Sequence, residues 1–259
     1  MATTNVATLF SAETIGNLAG DMACRHFTIE RTPQKPKRTT SLYTARGVKK
    51  CTEDEPIRTL EHIVAAQDFF LTQGKTQFHR LRNYMLFVLG CSTGLRGCDL
   101  LDLKISDVLS ENGLIKTHIL TIENKTRKTN TPRINDAARE AIMRYLDFLP
   151  AIDFDEFLIK SDKGGRMSEV QLYRIMHQLN TKLGFEEHIG AHSLRKTFGY
   201  WTLKLHPDDP QALATLQQML NHSSSLTTLR YCGLTKEDKD VYYGDIAGIF
   251  ADPDRKVEK

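Results

Sequence analysis

Four short segments of this chain gather the residue types that can do chemistry on a phosphate ester. In Thr93-Gly94-Leu95-Arg96-Gly97-Cys98-Asp99-Leu100-Leu101, a glycine turn after an apolar helix holds Arg96 at the start of the next helix, with Asp99 one turn on. An arginine so placed can present its planar fork to a phosphate while the carboxylate orients it or a neighbour. An ordinary surface arginine fits the same residues. In Glu123-Asn124-Lys125-Thr126-Arg127-Lys128-Thr129 three cations share a tight turn, able to enter a groove or approach a leaving oxygen. A solvated hairpin tip is the plainer account.

In Ala191-His192-Ser193-Leu194-Arg195-Lys196-Thr197, helical spacing puts His192 and Arg195 on one face and turns Leu194 and Phe198 toward a core. A neighbouring cation favours the neutral imidazole, which suits a base or hydrogen-bond partner near neutral pH. A capping histidine beside a surface arginine is the alternative. The last segment is Leu220-Asn221-His222-Ser223-Ser224-Ser225-Leu226-Thr227-Thr228-Leu229-Arg230-Tyr231, where serines start a helix that Tyr231 ends. A buried tyrosine with a satisfied hydroxyl is the common case for such a residue, a nucleophile the rare one.

Order and spacing change that balance. Together the segments resemble the tyrosine recombinase (phage integrase) family: T-G-L-R-x-x-E/D-L, a hairpin lysine in a K-T dipeptide, H-x-L-R-[HK]-T, and L-[GN]-H-S-S-x-x-x-T-x-x-Y, in that order. The resemblance runs from about Glu53 to Asp245 and implies the DNA breaking-rejoining enzyme fold. It implies that Arg96 and Arg195 grip the nonbridging oxygens of a scissile phosphate and offset the charge of its transition state. Lys125 then protonates the departing 5′ oxygen, His192 acts as a base or positioning group, and His222 hydrogen-bonds the same phosphate. Asp99 stands behind them. Tyr231 attacks, giving a 3′-phosphotyrosine that another strand's 5′-hydroxyl resolves. Arg127, Lys128 and Lys196 would add DNA contacts. No metal or other cofactor is implied, because guanidinium groups supply the cationic clamp. An unperturbed tyrosine, with a pKa of about 10, is ionised roughly once in a thousand at pH 7, a deficit of about 4 kcal/mol that a base and two adjacent cations can partly recover.

The sequence departs from the family pattern in places. Asp99 stands where glutamate is commoner, Asn221 where glycine usually precedes the histidine, and Lys196 where histidine is frequent. Lys128 shares the turn with Lys125 and competes for the same role. Only about fifty residues precede the motif-bearing region, where the family usually carries a helical core-binding domain of about a hundred. A short, catalytic-domain form like the fimbrial-switch invertases, or one using a basic arm as a reduced clamp, is therefore expected. The resemblance implies double-stranded DNA with specific recombination sites as partner, and a homotetramer on DNA that is a monomer or weak oligomer when free. Rival readings are a catalytically silent DNA-binding accessory protein derived from a recombinase, a metal enzyme using His192, His222 and Cys232, and a type IB topoisomerase.

The elements that must position these residues follow from periodicity. Leu60, Ile63, Val64 and Phe70 predict a helix that Gly74 ends. A second runs from Phe78 to Ser92 with Leu81, Tyr84, Met85, Val88 and Leu89 as its buried stripe, stopped by Gly94. A short helix Cys98–Leu103 precedes a strand over Leu114–Ile122, a turn at Asn124–Asn130 and a return strand Thr131–Ile134. Asn135 caps a helix through Asp147, Phe157–Ile159 forms a short strand, and Ser168 caps a helix ending before Gly184. Helices follow from His192 through Leu205, over Gln211–Leu220 and over Ser223–Tyr231. Lys236–Phe250 closes as a terminal segment weakened by Gly244 and Gly248. The expected fold is mainly α with a small antiparallel sheet.

Composition agrees. With 259 residues, 40% of them hydrophobic, the chain can bury a good core. Residues 1–50 hold eight Lys/Arg against three Asp/Glu, while the remainder holds 27 against 29. Such an arm, with Lys35, Lys37 and Arg38 in a proline-punctuated linker, suits phosphate tracking; a solvated tail fits equally. The domain reading is a basic arm over 1–52, a catalytic domain over 53–250 and a tail over 251–259. Five scattered cysteines (Cys24, Cys51, Cys91, Cys98, Cys232) without a C-x-x-C pair predict a reducing compartment. With no membrane span and no secretory signal, the cytoplasm is the expected location.

Overall fold

Within Gln77–Thr93 the run Met85-Leu86-Phe87-Val88-Leu89 is apolar on every side, which is the pattern of a helix surrounded by others rather than one lying on a surface. In the computed structural model of the protein, whose described residues are 53–232, this segment is the central helix. We number the helices in chain order: α1 Leu60–Thr72, α2 Gln77–Thr93, α3 Gly97–Leu101, α4 Ile105–Val108, α5 Asp136–Leu146, α6 Glu169–Leu183, α7 Ser193–Leu205, α8 Ala212–Met219 and α9 Ser225–Cys232. Helices α1, α5 and α7 pack against α2, and its Met85, Leu86, Phe87, Val88 and Leu89 are buried. The expected stripe was too narrow: α2 buries these five consecutive residues, whereas Leu81 and Tyr84 are only partly covered. On α1, Phe69 and Phe70 face the core and Leu60 and Val64 point outward.

Local chemistry sets the helix ends. Thr59, Thr76, Asn135 and Ser168 accept the first free N–H groups of α1, α2, α5 and α6. Gln171 reciprocates at Ser168, completing a capping box. Gly184 ends α6 in the left-handed region at φ 64°.

The sheet is smaller than the sequence pattern predicts. Its ladder is only β1 (Thr121–Ile122) against β2 (Thr129–Asn130), antiparallel, flanked by isolated bridges Leu109–Ile115 and His118–Arg133. Pro132 lies in the expected return strand, accepts from Ile119 through its carbonyl, and has no N–H to return the bond. Leu114, Leu120 and Ile122 are exposed, and only Ile115 and Ile119 turn this limb's apolar side chains into the core. Phe157–Ile159 likewise gives a bridge from Phe157 to Lys104 and one bond from Leu158 N–H to Leu103 O rather than a strand.

Two apolar cores result. The large one fills the space among α1 to α7; a small one gathers Leu216, Leu220 and Cys232, with Phe198, Leu203 and Tyr231 packed against it. The basic arm with Lys35, Lys37 and Arg38, Cys24 and Cys51, and the terminal segment Lys236–Phe250 lie outside the described residues. Among the described residues no helix is long and apolar enough to cross a membrane.

Gly94 joins the two cores. It ends α2 at φ 63°, and a Cβ there would lie 2.4 Å from Phe198 Cδ1. Gly94→Ala combines left-handed strain with overpacking and is expected to destabilise the domain by about 2–4 kcal/mol, read as a lower midpoint in urea. A variant as stable as the parent would refute this account of the turn.

Candidate active site

Arg195 is the most deeply held of the candidate residues. It sits on α7 with 2% of its surface exposed. One Nη donates to Gly94 O at 2.6 Å and the other to Leu220 O at 2.5 Å. Burial pushes its proton affinity down and the like charge of Arg96 adds to this, while Tyr231, Glu123 and Asp99 oppose. An arginine so lowered is still cationic at neutral pH. Its Cζ lies 5.9 Å from the centre of the Tyr231 ring.

Arg96 follows the Gly94 turn as the residue capping α3, with extended backbone and its side chain 17% exposed. Its Nη1 lies 2.5 Å from Glu123 Oε2, close but off-axis, so that its N–H groups find no well-aligned acceptor. Asp99, one turn on, does not orient Arg96 by any hydrogen bond. It is buried and accepts from the backbone N–H and Nδ2 of Asn124 at 2.9 and 3.0 Å, and so anchors the hairpin.

The hairpin turns where Arg127 takes φ 57°, closed by Glu123 N–H to Lys128 O and Arg127 N–H to Glu123 O, both 2.9 Å. Lys125, Arg127 and Lys128 are exposed on it, so the structure leaves the choice between the two lysines open.

The expectation that His192 and Arg195 project together does not hold. His192 lies outside the first turn of α7 as its capping residue, and its ring is 70% exposed while Arg195 is buried. The i, i+3 relation binds residues within a helix, and the cap is only half inside. The N–H of His192 donates to Asp54 Oδ2 at 2.8 Å, and the ring Nδ1 stands 3.7 Å from the same oxygen. Burial raises the affinity of Asp54 for a proton, but bonds and charge from His192, with His188, outweigh it, and the carboxyl lies below its ordinary range. Gly190 leaves room: an added Cβ would fall 2.2 Å from Asp54 Oδ1. Lys196 is buried too, pairing with Glu53 at 2.8 Å with its Nζ 5.2 Å from the Tyr231 ring centre.

Asn221 ends the α8 turn at φ 49°, a conformation asparagine tolerates better than most residues, which explains how it replaces glycine there. His222 then meets Thr228: Nδ1 and Oγ1 are 3.1 Å apart. Its ring stacks edge-on to Tyr231 with centres 5.1 Å apart. Burial, then Arg195 and Arg96, bring the His222 pKa down to about 4. Burial pushes the Tyr231 phenol up to about 12, with Arg195 and Arg96 pulling the other way.

Arg96, Arg195, His222 and Tyr231 are thus brought into one electrostatic neighbourhood, with the hairpin lysines exposed beside it and His192 at its edge. The sequence reading missed Glu123, Asp54 and the function of Thr228. Thr228 lay inside the quoted motif; the carboxylates carried no local signal. Among the described residues no three His, Cys, Asp or Glu side chains are grouped so as to hold a metal ion, and His192, His222 and Cys232 form no such group.

A mostly helical body with a short hairpin, carrying these groups on the turns between helices, defines a tyrosine recombinase catalytic domain. The chain belongs to the phage integrase family, whose model matches residues 60–238. It is 34% identical over 196 residues to the Bacillus subtilis (strain 168) protein named "Probable integrase/recombinase YoeC", spanning 75% of this chain and 98% of that one. It is 28% identical over 184 residues to the tyrosine recombinase XerC of Thermodesulfovibrio yellowstonii, spanning 67% of this chain but 58% of XerC. Solved structures with the same fold include XerH bound to a palindromic difH substrate (TM-score 0.55, 22% identity, 76% of this chain and 54% of that one) and the XerA recombinase (TM-score 0.55, 23% identity, 71% and 60%).

His222 gives a pH test. Unfolded imidazole takes its proton near 6.5, whereas the folded ring resists until about 4, so the unfolded state binds more protons across that window. Its contribution to stability is full above about 6.5 and is lost as pH falls toward 4. The drop in melting temperature from pH 7 to 4.5 should therefore be smaller in His222→Gln than in the parent. Equal drops would show that the ring titrates freely.

Proposed function

We propose that this protein is a site-specific DNA recombinase that cuts and rejoins strands through Tyr231 without a metal ion. The observation that carries the reading is the convergence of two guanidinium groups, a neutral histidine and a tyrosine from three separate parts of the chain. Arg96 and Arg195 take the nonbridging oxygens of the scissile phosphate. If the Thr228 hydroxyl donates to Nδ1 of His222, the other ring nitrogen carries hydrogen and donates to the same phosphate.

The Tyr231 oxygen forms a bond to phosphorus as the bond to O5′ breaks. Its proton passes to His192 or solvent, and Lys125 gives one to the leaving oxygen. A 5′-hydroxyl from another strand then reverses the step and releases the tyrosine. At a pKa of about 12 only about one phenol in 100,000 is ionised at pH 7. A phosphate between the arginines and the phenol must therefore coincide with proton removal, which ties nucleophile activation to bound DNA. The described site has guanidinium groups where a metal-dependent enzyme would place its cation.

The remaining assignments complete the reading. Residues 53–250 form the catalytic domain and 251–259 a tail. The arm over 1–52 follows the DNA backbone with Lys35, Lys37 and Arg38, while Arg127 and Lys128 contact DNA beside the break; Lys196, buried against Glu53, is held inside the fold. The protein works in the cytoplasm on double-stranded DNA carrying paired recombination sites. It assembles there as a homotetramer and is a monomer or weak oligomer when free. XerH, which shares this fold, is bound to its difH substrate in its solved structure, in line with this partner.

Nicked duplexes built from inverted repeats sought in the DNA beside the coding region should trap a covalent protein–DNA species, lost in Tyr231→Phe. Arg96→Ala should slow its formation by about 10²–10³-fold with DNA binding kept. An adduct surviving in Tyr231→Phe would overturn the nucleophile. Normal DNA binding with no adduct on any such site would favour the silent accessory protein instead.

A further inference from the structure

Glu123 is the one wholly buried carboxylate among the described residues that touches a guanidinium of the site, and the strand-transfer chemistry above does not use it. Burial alone would favour its neutral form. The bonds from Thr126, Arg96 and Asn221, with the charge of Arg96, outweigh that and hold it ionised, below the ordinary carboxylate range.

Its contacts come from separate parts of the chain. Arg96 reaches it from the turn before α3 at 2.5 Å, Thr126 from the hairpin at 2.5 Å, and Asn130 Nδ2 from β2 at 3.3 Å; Asn221 reaches it from the turn after α8. A carboxylate bonded from so many directions is a fixture, not a mobile gate.

What it fixes follows from charge. Arg96 lies close enough to lower the proton affinity of Arg195, after burial, so the two cations repel when no anion lies between them, and Glu123 is among the charges that offset this at Arg195. It stands 2.5 Å from Arg96 Nη1 and so offsets that cation from inside the fold. It sits two residues before Lys125, on the limb that carries the hairpin cations.

We infer that Glu123 is a positioning residue that keeps the Arg96–Arg195 pair assembled and open to a phosphate before DNA arrives, and ties the lysine hairpin to it. This rests on the reading of the site as a phosphodiester clamp. A merely structural ion pair would serve packing alone, and its loss would not depend on added anions.

The test uses the full chain, inorganic sulfate and nicked DNA. In Glu123→Gln the two cations lose their internal counter-charge. Sulfate should then raise the melting temperature of the variant with concentration, by mass action on the unbalanced pair, more steeply than it does the parent. The excess should vanish when Arg96→Met is added. Adduct formation by Glu123→Gln should fall about 10²-fold at saturating DNA, with affinity equal or tighter, because a clamp misplaced by an ångström loses rate rather than binding. Glu123→Asp, which keeps the charge, should recover part of the rate and respond to sulfate as the parent does. A sulfate response equal to the parent's, or a parental cleavage rate in Glu123→Gln, overturns the inference. If Glu123→Gln does not fold, the double variant with Arg96→Met removes the unbalanced cation and must regain a cooperative transition; failure to do so shows that Glu123 serves hairpin packing and overturns the inference as well. The sulfate arm needs no strand cleavage. Absence of any adduct in the parent would therefore strike the recombinase reading while sulfate still decides the role of Glu123.

Discussion

The guanidinium of Arg195, almost wholly out of contact with solvent, gives one Nη to the carbonyl of Gly94 and the other to that of Leu220. These carbonyls belong to the turns that launch Arg96 and His222, about a hundred and twenty-five residues apart in the chain. A buried cation is tolerated only where hydrogen bonds and charge compensate for lost hydration. Here the compensation is structural: the same planar fork that faces the Tyr231 ring stitches the two turns together. Arg195 therefore fixes the spacing of the site as well as lending it charge, and lysine, with one compact ammonium, could not span both carbonyls in a plane.

Around this centre the charges are layered. Arg96 is offset by Glu123, Lys196 by Glu53, and the start of α7 by Asp54, while Asp99 serves the hairpin. The domain thus enters the site region through a short acidic stretch, Glu53-Asp54-Glu55, whose first two members bond residues of the α7 motif. Gly190 exists in the form this contact needs, since any side chain there would collide with the Asp54 carboxylate. The result is a site rich in cations whose free-state repulsion is balanced inside the fold rather than left to solvent counterions.

Tyr231 is held by the smaller of the two apolar cores. Gly199 lets Cys232 Sγ approach α7 closely, a Cβ there falling 2.6 Å from the sulfur, and Phe198 lies over Gly94. Close approach at Gly199 brings α9 down onto α7, and the Arg195 guanidinium lies over the Tyr231 ring. The same burial that places it raises its proton affinity, and the placement and the high pKa are one effect.

The sequence by itself determined the helices, because apolar periodicity and caps such as Asn135, Ser168 and Gly184 act within a few residues. It also determined the residue types of the site, since the four motifs carry their chemistry in order and spacing. Only the tertiary structure decided the rest. The sheet shrank because Pro132 and the outward apolar residues of its limb removed the bonds and burial that a longer ladder needs. His192 parted from Arg195 because a capping residue does not share the face of the helix that it caps. Glu123 and Asp54 had no local pattern to betray them. A carboxylate at those positions looks like any surface acid until burial and a distant cation give it a charge to balance, and that depends on contacts between segments far apart in the chain.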